Sequence, residues 1–391
     1  MDFIFYYIAL FLVSLISTMW VYKKTLRIAV DKNIVDNPDA RKIQRVPVPV
    51  LGGVAVYFGI VVALSFAGLF CQEVSALFEI GAVMTIMLFI GTIDDIISLS
   101  PRFRFFVEIA AALLLIFCNH YSINDFHGLW GIHQIPTWAS VPLTVLTCVG
   151  IINAINLIDG VNGLSSGYCI FACAIFGYVF YRMGDVSRAT LAFVAIGALI
   201  PFFLHNVFGQ KSKMFIGDGG TLLMGVIMSS FVINVLKSGS LVSLSVLDNF
   251  GLVPFTLAVF AIPVFDAIRV MVLRVLRGIS PFRPDKTHLH HLLLDLHFSH
   301  IGTSALEILS NILIVVVWWV SYKLGASVDI QLYIVILLGL LVTFVFYKFA
   351  RVQERKASKI HTFIVRIGDW THVGHNEWFG WLTGRLDKNL D

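Results

Sequence analysis

The chain has 391 residues, of which 58% are hydrophobic and only 13% are Asp, Glu, Lys or Arg. This charged share is about half that of ordinary soluble domains. A water-soluble fold of this size cannot hide so much apolar surface. The composition therefore excludes a soluble enzyme, a disordered chain, a collagen-like chain and a disulfide scaffold. The net charge of +4 is small and gives no indication of nucleic-acid binding.

Eleven apolar runs have about the 20 residues that a membrane-spanning helix needs. They lie at 3–21, 47–70, 77–97, 104–121, 138–158, 163–181, 188–207, 219–237, 251–275, 304–323 and 329–349. The first run has no basic segment before it and no small-residue cleavage site after it, which favours a membrane anchor over a signal peptide. We expect an all-α polytopic membrane protein.

Lys and Arg residues are distributed unevenly over the connections between these runs. The connections are assigned alternately to the two sides of the membrane, starting with 22–46. The side that contains 22–46 receives 24 of the 28 Lys and Arg residues, and the other side receives only Arg182, Arg188, Lys237 and Lys323. Loops rich in Lys and Arg stay in the cytoplasm. The pattern predicts about eleven transmembrane helices, with the N-terminus outside and the C-terminus cytoplasmic. We divide the chain into a transmembrane domain at 1–350 and a basic, aromatic tail at 351–391 that lies against the inner leaflet.

Five acidic residues lie at or near the ends of apolar runs on the predicted cytoplasmic side. Asp94 and Asp95 end the third run, Asp159 ends the fifth, Asp218 opens the eighth, and Asp266 lies near the inner end of the ninth. Ionisable residues in or beside membrane spans are costly and mark functional sites. We therefore expect a single active site on the cytoplasmic face.

The acidic pair and the asparagine-rich segment predict different geometries. Adjacent helical residues point about 100° apart, so Asp94 and Asp95 cannot bind one ion symmetrically. We expect one to face the site and the other to pair with a cation or to orient its neighbour. In NAINLIDGVNGL, Asn153, Asn156 and Asp159 line one face if the helix continues to about residue 160.

The segment RPDKTHLHHLL combines two cations, Arg283 and Lys286, with three histidines. Zinc binding is disfavoured, because no HExxH or CxxC accompanies the histidines and their companions are hard oxygen ligands. Recognition of an anion or a phosphate fits these donors better. The chain has no GxxxxGK[ST] loop and no GxSxG motif. Together, the carboxylates and cations indicate Mg²⁺-assisted chemistry on a phosphorylated substrate.

With these motifs, the sequence resembles the polyprenyl-phosphate N-acetylhexosamine-1-phosphate transferases, and within them most closely the undecaprenyl-phosphate GlcNAc-1-phosphate transferase branch. Five motifs occur in the family's order: DNPDARKIQRVPVPVLGG (36–53), GTIDDIISLSPRFRF (91–105), NAINLIDGVNGL (153–164), FIGDGGTLLMG (215–225) and RPDKTHLHHLL (283–293). The resemblance implies transfer of a sugar-1-phosphate from a UDP-N-acetylhexosamine, above all UDP-GlcNAc, to undecaprenyl phosphate, with release of UMP. Such a reaction is the first membrane step of a cell-envelope glycan, such as cell wall or lipopolysaccharide O-antigen, at the bacterial inner membrane.

The resemblance also implies roles for individual residues. The expected catalytic residues are Asp94, Asp95, Asp159, His288 and His290. The expected substrate-binding residues are Arg41, Lys42, Arg104, Asn153, Asn156, Asn206, Arg283 and His291. The expected ligands of Mg²⁺, or of Mn²⁺ in its place, are Asp218, Asp94 and Asp159. Which of the paired aspartates is the base, and whether an aspartyl-phosphate forms, stays open.

Three positions depart from the pattern of many family members. Gln44 stands in place of His, Arg104 in place of Lys, and Asn162 in place of the second aspartate of DGxDG. The expected partners are undecaprenyl phosphate, a UDP-N-acetylhexosamine and the lipid bilayer, without nucleic acid. The oligomeric state, a homodimer included, stays open.

Two alternative functions fit these motifs less well. A phospho-MurNAc-pentapeptide transferase of the same superfamily carries a longer HxPHHH-type histidine run, whereas this chain has HLHH. A transporter of a sugar nucleotide or of a lipid-linked phosphate is expected to place its polar residues near the bilayer midplane. This chain places them at one face.

Overall fold

The computed structural model describes residues 3–38, 46–119, 122–242, 249–281, 285–372 and 377–388. Nearly all regular structure in these ranges is helical. Beyond two isolated bridges, the described sheet is one antiparallel ribbon, which pairs β1 (Val35–Asp36) with β2 (Val48–Pro49). The predicted all-α class is confirmed apart from this ribbon.

The helices of the first half follow each other closely. They are α1 (Phe3–Asp31), α2 (Gly52–Phe70), α3 (Phe78–Ile97), α4 (Pro101–Asn119), α5 (Thr137–Leu157), α6 (Leu164–Arg182), α7 (Val186–Phe208) and α8 (Gly217–Leu236). Short 3-10 turns at Gln72–Leu77 and Leu129–Gly131 lie in two of the connections. Helix α4 begins with a proline, whose missing N–H costs nothing at a first helical position.

The second half contains shorter and broken helices. They are α9 (Leu252–Val259), α10 (Ala261–Leu276), α11 (Leu289–Asp295), α12 (His300–Lys323), α13 (Val328–Leu340), α14 (Phe346–Arg355), α15 (Lys359–Trp370) and α16 (Glu377–Asp387). A π-helical segment, Leu341–Val345, joins α13 to α14, so this helix continues past residue 350 to Arg355. The domain boundary at 350 stays a prediction.

Within the described residues, nine helices are long and apolar enough to span a membrane, or ten if the bent pair α9–α10 is one span. Each of the eleven predicted runs overlaps a helix. The run at 104–121 corresponds to α4, which carries Arg102, Arg104 and Glu108. A multi-pass helical architecture is therefore established, while the count of eleven and the orientation stay predictions.

The predicted run at 251–275 is not straight, because α9 and α10 meet at an angle of 75°. A break inside a membrane leaves backbone groups without helical partners, and they must bond elsewhere. Asn311 of α12 meets this need: its Oδ1 accepts the Ile262 N–H at 2.9 Å, and its Nδ2 donates to the carbonyls of Ala258 and Val259 at 3.2 and 2.9 Å. These three hydrogen bonds stabilise the break between α9 and α10.

Helix α8 is the centre of the bundle, and α2, α3 and α5 pack against it. Small residues permit very close approach at its first turn. A Cβ on Gly91 of α3 would lie 2.5 Å from Gly219 Cα, and a Cβ on Gly53 of α2 would lie 2.3 Å from Gly220 N. Such glycine contacts let helix backbones meet in membranes. They bring the end of α3 against the start of α8, where the acidic motifs lie.

Candidate active site

Asp94, near the end of α3, and Asp218, in the first turn of α8, meet across Arg104 of α4. Arg104 Nη1 lies 2.8 Å from Asp94 Oδ2 and 3.1 Å from Asp218 Oδ2. The Asp94 side chain is buried, whereas that of Asp218 keeps 30% of its surface exposed. The guanidinium favours the charged form of both carboxylates and offsets their repulsion. Two separate sequence motifs therefore build one charged cluster.

Asn156 of α5 adds a third motif to this cluster. Its Nδ2 donates to Asp218 Oδ1 at 2.6 Å and to Thr221 Oγ1 at 2.8 Å, and its Oδ1 accepts from Arg104 Nη2 at 3.1 Å. Each polar atom of the amide therefore has a partner in the cluster. The side chain fixes the direction of the Asp218 carboxylate.

Asp95 points to the backbone of α8. Its Oδ1 accepts the N–H of Asp218 at 2.9 Å, and its Oδ2 accepts the N–H of Gly219 at 3.3 Å. The first N–H groups of a helix have no helical partner, and a carboxylate stabilises them. Asp95 therefore anchors the start of α8, while its neighbour Asp94 forms an ion pair with Arg104.

The asparagine-rich segment is helical only to Leu157, so the condition for one shared face, a helix that continues to about residue 160, is not met. Two contacts enforce a turn. Gly163 has a φ of 77° and donates its N–H to Asn206 Oδ1 at 2.7 Å. The ring of His290 lies beside Gly160, where a Cβ would be 2.4 Å from Nε2. Asp159 therefore does not continue the face that carries Asn153 and Asn156.

Asp159 is half-buried and accepts a short hydrogen bond from Ser165 Oγ. Burial raises the pKa of its carboxyl to about 7; the hydrogen bond from Ser165 opposes this rise, and the carboxylates of Asp218 and Asp36 add to it. A carboxyl with such a pKa exchanges its proton near neutrality, which is the range that general acid–base catalysis requires. The carboxylate of Asp218 is therefore close enough to Asp159 to disfavour its charged form.

The histidine segment is held by Asp266 and Arg269, a buried pair on α10. His288 Nδ1 lies 2.8 Å from Asp266 Oδ2, and Arg269 Nη2 donates to Asp266 Oδ1 at 2.6 Å and to the Thr287 carbonyl at 2.6 Å. A carboxylate on one ring nitrogen fixes the orientation of a histidine. The Nδ1 of His288 is thereby occupied by Asp266, and the ring is held in one orientation.

His290 and His291 are neutral at pH 7. Burial lowers the pKa of His290 well below its ordinary value, and burial together with neighbouring His288 lowers the pKa of His291 to about 4. The rings of His288 and His290 are nearly parallel, with centroids 5.5 Å apart. These two side chains, His290 and His291, therefore offer neutral donors and acceptors, and they add no positive charge.

The start of the histidine segment is fixed by an ion pair. Arg274 donates Nε and Nη2 to the two carboxylate oxygens of Asp285, both at 3.0 Å. Although burial opposes it, this pair and the hydroxyl of Thr287 hold the pKa of Asp285 below its usual value. The predicted substrate-binding residues Arg283, Arg41 and Lys42 lie outside the described residues.

Asn153 lies one turn before Asn156 on α5 and contacts Glu108 of α4. Its Nδ2 donates to Glu108 Oε2 at 2.5 Å and to the Val149 carbonyl at 2.9 Å. Asn153 also lines an apolar cavity of about 1060 Å³ between α4, α5 and α10, together with Phe105, Gly150 and Ile268. An apolar cavity therefore ends one helical turn from the charged cluster.

Asn206 of α7 is buried, and both ends of its amide bind backbone. In addition to accepting the Gly163 N–H, it donates Nδ2 to the Met214 carbonyl at 2.9 Å. It therefore links the turn at 158–163 to the segment that leads into α8. This geometry favours a positioning role for Asn206.

Two acidic residues of this region received no role in the sequence analysis. Glu108 lies four residues after Arg104 within an apolar run, and this spacing could have indicated one helical face. Asp266 was noticed without a partner, although Arg269 follows it by three residues. Its contact with His288 is tertiary, and no spacing in the chain predicts it.

The donor set suits a hard cation. Asp94 and Asp218 carry carboxylate oxygens of the kind that Mg²⁺ prefers, and this ion needs few ligands from a protein because phosphate oxygens and water complete its shell. Within the described ranges, no group of three or more His, Cys, Asp or Glu side chains is arranged to hold a metal ion. The expected third ligand, Asp159, lies near Asp218 without joining its hydrogen-bonded cluster.

The turn at 158–163 allows a direct test of charge in this motif. Replacing Asp159 by Asn should lower activity by more than tenfold, because it removes a carboxyl that changes charge near pH 7. Replacing Asn162 by Asp should stay within about tenfold, or roughly 1.4 kcal/mol in the barrier, because Asn162 bonds His300 and Ser304 through its backbone. The rates of UMP release by the two purified variants decide the ranking. The opposite order would assign the essential charge of this turn to position 162.

Comparison with known proteins agrees with this geometry. Residues 77–236 match the family described as glycosyl transferase family 4, a stretch that contains Asp94, Arg104, Asn156, Asp159 and Asp218. The "Probable undecaprenyl-phosphate N-acetylglucosaminyl 1-phosphate transferase" of Bacillus subtilis (strain 168) is 29% identical over 74% of this chain and 78% of its own length.

Two enterobacterial proteins, each named undecaprenyl-phosphate alpha-N-acetylglucosaminyl 1-phosphate transferase, are similar to a comparable degree. That of Escherichia coli (strain K12) is 27% identical over 70% of this chain and 72% of its own length. That of Salmonella typhimurium (strain LT2) is 28% identical over 73% of this chain and 76% of its own length. Over residues 77–236, the region that contains Asp94, Asp159 and Asp218, this chain is similar to glycosyl transferase family 4.

Proposed function

We propose that the protein transfers GlcNAc-1-phosphate from UDP-GlcNAc to undecaprenyl phosphate, which yields undecaprenyl-diphosphate-GlcNAc and UMP. One observation carries the proposal: the charged cluster of Asp94, Arg104, Asn156 and Asp218 lies one helical turn from the end of the apolar cavity. A prenyl chain fits the apolar cavity, and a phosphate head group fits the polar end. The names of the relatives support the same reaction.

The reaction brings two phosphate groups together, so the site must offset the repulsion between them. Phosphoryl transfer depends mainly on positioning and on stabilisation of charge. Arg104 supplies a fixed positive charge between two carboxylates, and it is held from three sides by Asp94, Asp218 and Asn156. Groups that are held in place before the reaction stabilise the transition state without reorganisation.

A divalent cation, Mg²⁺ or Mn²⁺, is part of the proposal. Asp218 and Asp94 would hold it. When bound, the ion would neutralise phosphate charge. Asp95 serves the site by anchoring α8, which leaves Asp94 as the member of the acidic pair nearer to the chemistry.

The histidine segment would bind the sugar or the diphosphate. His288 is oriented by Asp266, and His290 contacts the turn that carries Asp159, so the segment faces the acidic half of the site. Arg283 joins this proposal from the sequence. The uneven distribution of Lys and Arg supports a cytoplasmic position of the site, at the inner membrane, where UDP-sugars are made available to it.

The proposal is tested with the purified protein in nanodiscs, undecaprenyl phosphate, Mg²⁺ and a panel of UDP-sugars. We expect UMP release with UDP-GlcNAc that requires the lipid phosphate. Release that is fastest with another UDP-sugar would change the substrate, and no release with any of them would contradict the proposed function.

The apolar cavity gives a separate prediction about the lipid. Gly150 lines the cavity, and a Cβ on it would meet no atom within 4 Å, so the side chain of Gly150→Trp would start in open space and should occupy part of the cavity. We expect the KM for undecaprenyl phosphate to rise at least about fivefold, while the KM for UDP-GlcNAc stays within about twofold. Fivefold corresponds to about 1 kcal/mol, a modest part of a large apolar contact.

The matched control for this variant is Gly81→Trp. Gly81 lies on α3 away from the cavity and likewise has open space around its Cβ position. This control should leave both KM values unchanged. Equal effects of the two variants would show that the cavity is not where the lipid binds.

A further inference from the structure

The last described helix, α16, places a carboxylate against the segment that leads into the acidic cluster. Asp387 accepts three consecutive backbone N–H groups, those of Gln210 at 3.2 Å, Lys211 at 3.1 Å and Ser212 at 2.9 Å, and also the Ser212 hydroxyl at 2.6 Å. Thr383 Oγ1 donates to the Phe208 carbonyl at 2.8 Å. Bonds between a carboxylate and backbone N–H groups are stronger than neutral ones.

The segment held by Asp387 ends six residues before Asp218. Two further hydrogen bonds hold this part of the chain. Tyr22 donates its hydroxyl to the Ser212 carbonyl at 2.9 Å, and the Phe215 N–H donates to the Pro49 carbonyl at 2.8 Å. The start of α8 follows at once. A displacement of the segment 209–216 would therefore move Asp218 relative to Arg104.

The preceding helix, α15, holds the other half of the site. The Thr371 Oγ1 accepts the Ser299 N–H at 2.8 Å, and the Thr371 carbonyl accepts the Ser299 hydroxyl at 2.7 Å. Gly368 packs so closely on the end of α11 that a Cβ there would lie 2.3 Å from the Leu296 carbonyl oxygen. Helix α11 is the helix that carries His290 and His291.

We propose that α16 holds the acidic half of the site and α15 the histidine half, each in the position that transfer requires, with Asp387 as a positioning residue; we call these two helices the strap. This inference rests on the proposed function. The predicted tail against the leaflet is thus also a structural part of the site. Phe363 and Trp381 on the strap are exposed, so a membrane contact of these helices is compatible with this role.

The charge of Asp387 agrees with this role. Although burial opposes it, the Ser212 hydroxyl and the backbone N–H groups lower the pKa of Asp387. The carboxylate is therefore ionised at neutral pH, in the form that binds N–H groups most strongly. In contrast, Asp369 on α15 is more than half exposed, and among the described residues its side chain pairs with His297, itself exposed, at 3.3 Å. Such surface pairs contribute little.

The test compares Asp387→Ala with Asp369→Ala as the matched control, each in the full chain in nanodiscs. Misplacement of reacting groups by about 1 Å lowers rates strongly, so we expect the kcat of Asp387→Ala to fall about tenfold or more, with both KM values within about twofold. Hydrogen exchange of the amides at 209–216 should become faster. Asp387→Asn keeps one acceptor oxygen and should restore part of both effects. Asp369→Ala should match wild type.

The outcomes separate the strap from the proposed function. Faster exchange at 209–216 with an unchanged kcat would overturn the positioning role, and a lower kcat without local change in exchange would do the same. If Asp387→Ala fails to fold, Thr383→Val, which removes a single hydrogen bond to Phe208, gives the same two readouts on a milder scale. A wild-type protein that releases no UMP would refute the proposed function, while unchanged exchange in Asp387→Ala would refute the strap.

Discussion

Asp218→Asn should lower the kcat of UMP release by at least about a hundredfold, the usual cost of losing one central electrostatic group. The substitution keeps the size of the side chain but removes its charge. In the structure this carboxylate accepts from Arg104 at 3.1 Å and from Asn156 at 2.6 Å, so an amide would also place an N–H toward one of these donors. The variant should lose both a ligand for the cation and the fixed position of Arg104.

The measurement needs folded protein and a control at the other end of the bundle. Glu79→Gln alters an exposed carboxylate in the first turn of α3, at the opposite end of that helix from Asp94. It should keep the wild-type rate. If Asp218→Asn melts at the wild-type temperature and turns over at a near-wild-type rate, Asp218 is misassigned and the cluster is structural.

Removal of divalent cations should have an equally large effect. With EDTA we expect UMP release to fall to background, at least about a hundredfold, and addition of Mg²⁺ or Mn²⁺ to restore it. Two anionic substrates must come together, and Arg104 alone supplies one positive charge against two carboxylates. A divalent ion would offset the remaining negative charge.

The melting curve with and without EDTA serves as the control for this experiment. A similar melting temperature together with lost activity would assign the ion to catalysis. If UMP release in EDTA continues at the rate seen with Mg²⁺, the protein does not use a metal. In that case Arg104 and the histidine segment would have to carry the charge stabilisation.

Much of this molecule follows from local properties of the chain. Apolar runs of about 20 residues become helices in a bilayer because each satisfies its own backbone hydrogen bonds. Asp94, Asp159 and Asp218 are costly within an apolar span, and this places them at the ends of their helices. Because those ends lie on one side, the sequence predicts that the motifs meet, and Asp94, Arg104, Asn156 and Asp218 do form one cluster.

The separate roles of these residues depend on tertiary contacts. Asp94 and Asp95 are neighbours of equal chemistry, and only the position of α8 and Arg104 makes one an ion-pair partner and the other a helix anchor. Similarly, α5 ends at Leu157 because Asn206 and His290, distant in the chain, hold the following turn.

The sequence by itself thus determined a multi-pass helical protein whose polar motifs meet at one end, since span length and the cost of buried charge act residue by residue. The tertiary structure alone decided the 75° break between α9 and α10, the pairing of Asp266 with His288, and the contacts of Asp387 with residues 210–212. Hydrogen bonds stabilise each of these features, and they join residues that are 22 to 177 positions apart in the chain. Tertiary packing brings these partners together, and no local periodicity of the sequence predicts which residues will meet.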